Sequence, residues 1–471
     1  MSSSTFPSRI DERDRVRSDR ERGAEKRRAA LASAGKSYAT AWQPKVTLGA
    51  AGDHHSAHRL LVSVFHGPSS VEFQAQLDLP GYEPADRLLV KRGAQIVAHA
   101  RIVRRELQFG GLQVKSSLLA DLATAPEFRR RGCATALIRA AEQDMHAHGD
   151  TFGLARTETS EFFTKRGWTI CGSPVRSIAS ARDILSYLRE IRAHEESFPN
   201  RTMLAREPLP ISIRLWRHVE QAALMRLYEI NTQQAYGATV RTDAYWRWLV
   251  GRGGCDRIYI AIEGSPKFEL DDTLEPIVGY AAMRENRLVE MMTMPRRDDV
   301  ALKLLARACG DAIERDDHSV IVESAPGHLL HAVLKAAGGK SQRSDGADGL
   351  TNVVKLFEPL TFLDSLGEMI RQRAVAAGLG RACELGIAVG TQKVRIVVKK
   401  QQLTITHDRV GRNCITCDNN AFTQLLLGQL NVPEAIAAGT LEAATATAAE
   451  VAAALFPRLP LWFPPLDDLP A

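Results

Sequence analysis

Three arginines and a glycine form the part of this sequence best suited to chemistry. Arg129–Arg131 and Gly132 follow an apolar, strand-like run that ends at Pro126, and they precede an amphipathic helix predicted over residues 134–148. The first N–H groups of a helix have no partner within the helix and carry partial positive charge. Glycine lets the backbone approach a ligand, and arginines pair with phosphate oxygens. The spacing therefore predicts a turn that holds a pyrophosphate.

This turn, placed after a strand and before a helix, resembles motif A of the GNAT acyl-CoA N-acyltransferases. That motif has the form Gln/Arg-x-x-Gly-x-Gly/Ala, and residues 129–134 read RRRGCA. Residues 161–168 (EFFTKRGW) follow a strand predicted at 150–159 and are similar to the family's aromatic helix, glycine turn and strand start. In the family the two strands splay apart to admit the thioester. Without the resemblance, solvated arginines and ordinary core aromatics would also fit these residues.

Composition places the chain among ordinary globular proteins. Its 471 residues suffice for about two to four domains, and 45% hydrophobic with 25% charged residues is typical. No run approaches the ~18 apolar residues of a membrane span, and the N-terminus shows no apolar leader. Seven scattered cysteines argue against a disulfide framework and favour a reducing compartment. We therefore expect a cytoplasmic protein that does not enter a membrane.

The net charge of +6 is concentrated in the N-terminal tail. Residues 1–36 hold ten Lys and Arg against six acids, which leaves +4 in this segment. The composition predicts a disordered basic tail over residues 1–39. Nucleic-acid binding is not expected, because acids interleave the basic residues and stacking aromatics are absent.

The first globular unit is predicted over residues 40–177. Strands are expected at 88–92, 95–109 and 113–125, and Gly110-Gly111 marks the hairpin between the last two. This meander ahead of the arginine turn is the strand order of a GNAT domain.

A helical connector at 178–210 leads to a second unit, predicted over residues 211–358, that repeats the pattern of the first. The strand predicted at 287–295 again ends in proline, and a helix follows at 298–315. The turn between them lacks the glycine and carries Asp298-Asp299. Because carboxylates repel a pyrophosphate, we expect this unit to keep the fold without binding CoA.

The third unit is predicted over residues 359–471. Helices are expected at 360–376 and 445–455, with strands between them. The ending LFPRLPLWFPPLDDL is rich in proline, which predicts an extended tail anchored by Trp462 and Phe463. Together with the segment 421–428 (AFTQLLLG), this ending resembles a sterol-carrier-protein-like domain.

The order of the units defines the expected fold class. It is α/β (α+β), with tandem GNAT folds, the second degenerate, followed by a sterol-carrier-protein-like α+β domain. This order resembles the enhanced intracellular survival (Eis) family of acetyltransferases over residues 40–471. The resemblance implies acetyl-CoA as co-substrate, an amine acceptor, and a homo-oligomer.

The resemblance also implies roles for individual residues. Acetyl-CoA would contact Leu122, Ala123, Thr124, Arg129, Arg130, Arg131, Gly132, Cys133, Ala134 and Thr135. The C-terminal carboxylate, here that of Ala471, would be the base. The family's tyrosine acid is replaced by Phe163, whose phenyl ring has no proton to donate. Ser160 or Thr164 could replace it, the thiolate could leave unassisted, or transferase activity could be lost.

Other motifs point to structure rather than chemistry. Cys414 and Cys417 form a CxxC without a second pair at zinc-site spacing, so buried free thiols are expected. His54, with neighbouring histidines, lies at a domain edge, and His328 with His331 occupies one helix face. No metal site is predicted.

Two functions follow from these residues. The first is an acetyl-CoA-dependent N-acetyltransferase that acts on a primary amine of a small molecule or a lysine side chain; kinship suggests polyamine-like or aminoglycoside acceptors. The alternative is a non-catalytic protein that binds CoA or an apolar ligand and has lost the tyrosine acid.

Overall fold

The computed structural model describes residues 42–172, 175–197, 209–264, 276–343 and 350–469. The predicted N-terminal tail and Ala471 lie outside these residues. Within the described ranges, no helix is both long and apolar enough to cross a bilayer.

The first unit is a sheet with helices on its faces. Its strands are β1 Val46–Leu48, β2 Arg87–Arg92, β3 Gln95–Phe109, β4 Leu112–Thr124, β5 Phe152–Thr157 and β6 Thr169–Ile170. Its helices are α1 His54–Phe65, α2 Ser70–Leu77, α3 Cys133–His148 and α4 Ser160–Thr164. Helix α3 buries Leu137, Ile138, Ala141 and Met145, which share one face at helical spacing. This packing fixes where the helix begins.

The second unit repeats this arrangement. Its strands are β7 Val175–Ser180, β8 Ile211–Leu215, β9 Tyr236–Thr239, β10 Arg257–Glu263, β11 Ile277–Arg284, β12 Arg287–Thr293, β13 Ser319–Val322, β14 Lys340–Arg343 and β15 Thr351–Leu356. Its helices are α5 Ala181–Ser197, α6 Gln221–Thr232, α7 Asp243–Gly251, α8 Asp298–Glu314 and α9 Leu329–Ala336.

The two sheets exchange strands across the unit boundaries suggested by the sequence. The first sheet has the order β1-β2-β3-β4-β5-β15-β6, with β9 beside β3, so β15 returns to it from the second unit. The second sheet has the order β14-β7-β13-β12-β11-β10-β8 and takes β7, which directly follows the first unit. The sheet of the first unit is therefore completed by β15, a strand from the end of the second unit.

The third unit packs helices against a five-stranded sheet. Its strands are β16 Ala382–Val389, β17 Gln392–Lys399, β18 Gln402–His407, β19 Cys414–Cys417 and β20 Leu441–Ala443, in the order β18-β17-β16-β19-β20. Its helices are α10 Pro359–Ser365, α11 Gly367–Ala376, α12 Asn419–Leu426, α13 Val432–Ala437, α14 Ala446–Leu455 and α15 Pro465–Asp468. These elements establish a mixed α+β unit, and its likeness to a sterol carrier stays a prediction.

The expectation of a wholly extended tail was wrong for four residues. Residues 465–468 form the short helical turn α15, with Pro465 in its first position. Proline is tolerated there because the first N–H groups of a helix have no partner to lose. Phe463 is buried as expected, and Trp462 is half-buried.

Candidate active site

The basic turn lies on the surface at the start of α3. Phe128 is buried and ends a short 3-10 turn, whereas Arg129, Arg130 and Arg131 are exposed. Arg130 (φ 58°) and Gly132 (φ 85°) both adopt left-handed backbone conformations. Two such residues within three positions turn the chain sharply, and the conformation at Gly132 favours glycine.

The amides of this turn point to no partner within the described chain. The first backbone bond of the helix runs from the Ala136 N–H to the Gly132 carbonyl, and the amides of residues 131–135 donate to no other described residue. The first turn of α3 contains no acid. No described carboxylate lies within 4.0 Å of the three guanidiniums. Unpaired amides at a helix N-terminus, surrounded by arginines, form an anion site.

Neighbouring side chains shape the rim of the turn. The Arg131 guanidinium lies 5.3 Å from the centre of the Phe128 ring, which limits its freedom. The Thr135 hydroxyl accepts a hydrogen bond of 2.7 Å from Arg166, so it is already engaged in the structure. Burial raises the pKa of the Cys133 thiol, so this residue offers its amide rather than a thiolate.

Strands β4 and β5 separate just before the turn. They pair in parallel only through Ser116–Leu118 and Phe152–Leu154, and β4 then continues without β5 as far as Thr124. Leu122 and Thr124 stay partly exposed, whereas Ala123 is buried. We call this separation of β4 and β5 the gap. It leaves one edge of β4 unpaired by β5 directly ahead of the basic turn.

A bulge at Asp121 redirects β4 at the gap. The pairing with β3 shifts between His99 and Arg101, and Asp121 has a left-handed φ of 54°. Its carboxylate accepts a hydrogen bond of 2.7 Å from Arg101, and its carbonyl lies 2.9 Å from His99 Nδ1. The carboxylate and the backbone carbonyl of Asp121 are therefore both fixed by hydrogen bonds.

The buried His99 side chain is held in one tautomer. Its Nε2 lies 3.0 Å from a terminal nitrogen of Arg87, and because a guanidinium only donates, Nε2 must accept. The proton therefore sits on Nδ1 and is donated to the Asp121 carbonyl. Burial and the Arg87 charge lower the pKa of His99 to about 4. The ring stays neutral at physiological pH.

If this chain transfers acetyl groups, as the resemblance implies, the His99→Gln variant should lower kcat about tenfold with little change in KM for acetyl-CoA. The Gln oxygen can still accept from Arg87, but the Asp121 carbonyl loses its donor, and an unsatisfied buried carbonyl costs about 1–3 kcal/mol. The His99→Asn variant is the control, because its amide nitrogen matches the position of Nδ1 and should preserve kcat. Steady-state kinetics measure kcat and KM for both variants. Equal losses of kcat in the two would contradict the role of His99 as hydrogen-bond donor to the Asp121 carbonyl.

The residues considered for the general acid are poorly placed to act. Phe163 is 4% exposed and packs edge-on against Trp168 at 5.3 Å. The Thr164 hydroxyl donates to the Glu161 carbonyl at 3.2 Å. Ser160 begins α4 and is partly exposed. None of the three lines the cavity beside the Asp121 bulge.

A cavity of about 440 Å³ lies against the β4 bulge. Helices α1, α2 and α7, strands β3 and β4, and the last described residues of the chain contribute to its walls. Its lining side chains include those of Phe65, Glu72, Leu79, Arg101, Val103, Arg105, Leu118, Asp121, Trp248, Arg252, Asp467, Asp468 and Leu469. Strand β4 therefore runs from this cavity, through the gap, to the basic turn.

Buried ion pairs hold the end of the chain at this cavity. Arg241 makes a two-pronged bond to Glu290 at 2.8 and 2.6 Å, and its Nε donates to Asp467 at 2.9 Å. Asp468 binds Arg105, and Arg156 approaches it to 2.9 Å. These contacts join both sheets to the tail. These ion pairs were not predicted from the sequence. Asp467 and Asp468, two acids in an apolar, proline-rich ending, could have indicated them, because buried acids need cationic partners.

Replacing Asp468 with asparagine should destabilise the fold by about 2 kcal/mol at pH 7. Burial alone would raise the pKa of Asp468, but Arg105 and Arg156 outweigh it and lower the pKa to about 2. A depressed carboxyl pKa stabilises the fold above the unfolded value of 3.8, and this contribution is lost as the pH falls towards 2.

Urea unfolding of both proteins at pH 7 and pH 3 measures this difference, which should shrink at the lower pH. The Asp243→Asn variant is the control, because its side chain is 58% exposed in its pair with Arg247. We expect that change to cost less than about 0.5 kcal/mol. A gap between wild type and Asp468→Asn that does not depend on pH would contradict the ion-pair assignment.

The corresponding turn of the second unit is closed by its own ion pairs. Strands β12 and β13 also part after a short parallel pairing. At the start of α8, Arg297 binds both oxygens of Asp299 at 2.9 and 3.0 Å and Glu263 at 2.8 Å. The predicted repeat of the fold is thus present, and the absence of CoA binding in this unit stays a prediction.

The remaining motifs have structural partners. His54 Nε2 lies 2.9 Å from the Tyr82 hydroxyl, and His331 bonds with Ser177 at 2.8 Å. His328 caps the start of α9. All seven cysteines are free thiols, and β19 places Cys414 and Cys417 on opposite faces. Among the described residues, no cluster of three or more His, Cys, Asp or Glu could hold a metal.

Comparison with known proteins places this turn within a known type of domain. Residues 46–171 match the acetyltransferase (GNAT) domain family, so the first unit is similar to such domains. None of the curated proteins matches this chain in sequence.

Solved structures share the architecture over most of the chain. A conserved protein of unknown function from Enterococcus faecalis, titled a probable N-acyltransferase, aligns with a TM-score of 0.64 and 12% identity, over 89% of this chain and 97% of its own. A GCN5-related N-acetyltransferase from Anabaena variabilis aligns with a TM-score of 0.62 and 16% identity, over 89% of this chain and 98% of its own. Eis1 from Mycobacterium abscessus aligns with a TM-score of 0.55 and 16% identity, over 88% of this chain and 97% of its own. At these identities the likeness is one of fold.

Proposed function

We propose that this protein is an acetyl-CoA-dependent N-acetyltransferase that acetylates a primary amine of a small molecule or a lysine side chain. The observation that carries the proposal is the course of β4. Its Asp121 bulge borders the cavity, its last residues face the gap, and it leads into an exposed basic turn with unpaired amides. Cofactor and acceptor could therefore meet along one strand.

The amides at the start of α3 would bind the diphosphate. Arg129, Arg130 and Arg131 add positive charge, and Gly132, Cys133, Ala134 and Thr135 offer backbone N–H groups without partners among the described residues. The pantetheine arm would run along the open side of Leu122, Ala123 and Thr124. In this arrangement the thioester would lie at the Asp121 bulge, next to the cavity.

In the reaction, the nitrogen of a neutral amine attacks the carbonyl carbon of the acetyl thioester. The C–N bond forms, the C–S bond breaks, and the amine proton passes to a base. We assign the base to the α-carboxylate of Ala471, which lies outside the described residues. Leu469 supports this, because it lines the cavity and two further residues extend at most about 7 Å.

The leaving group departs as a thiolate in this proposal. Phe163 has no acidic proton, and the Thr164 hydroxyl is already bonded to a helix carbonyl. The thiolate would therefore take its proton from water. This step needs no side chain in the place of the family's tyrosine.

Two measurements test the proposal. Isothermal titration with acetyl-CoA tests binding, and release of free thiol in the presence of primary amines tests transfer. Binding with amine-dependent release is the expected result. Binding without release would favour the alternative of a non-catalytic CoA-binding protein, for which the substitution at Phe163 is the motive. No binding at millimolar acetyl-CoA would overturn both.

A further inference from the structure

Arg166 reaches the basic turn from a later part of the sequence. It follows α4, and one terminal nitrogen of its guanidinium donates to the Thr135 hydroxyl at 2.7 Å. Thr135 is the third residue of α3, and its amide is among those that have no partner in the described chain. The charge of Arg166 therefore lies at the start of α3, beside the amides that would bind the diphosphate.

The Arg166 side chain is held in place by its own surroundings. Its guanidinium lies 3.7 Å from the centre of the Phe162 ring, and its other terminal nitrogen donates to the Phe162 carbonyl. The Arg166 amide donates to the Phe163 carbonyl at 2.8 Å, and the Arg166 carbonyl accepts from Lys355 Nζ at 3.1 Å. A side chain fixed in this way loses little further freedom when it binds a ligand.

The guanidinium of Arg166 has donors to spare for an anion. Arginine has five N–H groups, and the bonds to Thr135 and Phe162 use two of them. The Nε atom is buried and has no partner among the described residues. No described carboxylate lies within 4.0 Å of the guanidinium. A buried donor without a partner is costly, and a phosphate group supplies both the acceptors and the negative charge that this side chain lacks.

The second unit has no cation at the matching position. Helix α9 corresponds to α4, and residues 337–339 (AGG) follow it where residues 165–167 (KRG) follow α4. At the start of α8, the place of an anion is taken by the carboxylate of Asp299, which binds Arg297. The arginine after α4 thus accompanies a helix start that is open to an anion, and the second unit, whose helix start is closed by an ion pair, lacks it.

We infer that Arg166 is a further cofactor-binding residue, which pairs with a phosphate group of acetyl-CoA. The inference rests on the proposed binding of acetyl-CoA and adds a wall to the anion site from the turn after α4. On binding, the guanidinium would exchange the neutral Thr135 hydroxyl for a charged acceptor, and charge-assisted hydrogen bonds are the stronger ones. CoA carries a diphosphate and a 3′-phosphate, and dephospho-CoA, which lacks the 3′-phosphate, separates the two.

The Arg166→Gln variant should raise the Kd for CoA about tenfold, whereas Arg166→Lys, which keeps the charge without the planar fork, should raise it about threefold. Isothermal titration at about 0.05 M and about 0.5 M NaCl measures these changes. Because salt screens a charge pair, the loss in Arg166→Gln should shrink at least about twofold at the higher concentration. A loss of the same size at both concentrations would indicate a purely structural role and overturn the inference.

Lys165→Gln is the matched control, because it removes the neighbouring cation, whose side chain is 69% exposed and pairs with Glu161 at 2.6 Å. We expect its Kd to stay within about twofold of the wild type. With dephospho-CoA, an undiminished loss in Arg166→Gln assigns the contact to the diphosphate, and a loss confined to CoA assigns it to the 3′-phosphate. Wild-type affinity of Arg166→Gln for both ligands would overturn the inference and leave the proposed function standing. A wild-type protein that binds no CoA would overturn both.

Discussion

The double variant Arg131→Glu, Gly132→Asp is expected to lose acetyl-CoA binding, with Kd raised at least about 100-fold. The change puts two carboxylates where the diphosphate would meet the amides of α3. A clash with neighbouring atoms is not the cause, because a Cβ at Gly132 would meet only Pro44 Cγ at 3.8 Å; the φ of 85° does add backbone strain to any residue with a Cβ. Aspartate also tolerates left-handed backbone better than most residues. Isothermal titration with acetyl-CoA measures the loss.

The control for this variant is Arg139→Glu. Arg139 is exposed on the same helix, beyond the basic turn, so the variant reverses a charge without touching the amides. We expect Kd to stay within about twofold, because exposed charges at a distance are screened by salt. Wild-type affinity in the double variant would show that the turn does not hold the cofactor.

Removing Pro470 and Ala471 should lower kcat at least about 100-fold, the usual range for loss of a general base. The truncated chain keeps Asp467 and Asp468, whose bonds to Arg241 and Arg105 hold the tail in place. The new carboxylate would stand at Leu469, two residues short of its proposed position. Binding of acetyl-CoA should stay within about threefold, since the basic turn is untouched.

The matched control for the truncation is Ala471→Gly, which retains the length of the chain and its terminal carboxylate. We expect it to keep the wild-type kcat. Thiol release under saturating acetyl-CoA and amine compares the three proteins. A truncated enzyme with full activity would place the base elsewhere.

Much of the fold could be predicted from local sequence. Strand β3 is found at Gln95–Phe109, as predicted, and Gly110 and Gly111 turn the hairpin with φ of 61° and 91°. The helix predicted at 134–148 begins one residue earlier, at Cys133. These features depend on alternation, helical spacing and turn residues, which act over a few positions. The exchange of β7 and β15 between sheets was not predicted, because strand partners depend on tertiary packing.

The candidate site divides in the same way. The basic turn was predictable because its arginines, glycine and helix start are adjacent in sequence. The contacts of the chain end were not, since Arg241 and Asp467 lie 226 positions apart. The tautomer of His99 likewise depends on Arg87 and on the Asp121 carbonyl, which meet only in the folded sheet.

A crystal structure of the complex with acetyl-CoA is the sharpest test of cofactor binding at the basic turn. We expect diphosphate oxygens within hydrogen-bonding distance of the amides between Arg131 and Thr135. We also expect the acetyl group beside Leu122–Thr124, facing the cavity at Asp121. A cofactor bound elsewhere, for example at the turn around Arg297, would contradict this expectation.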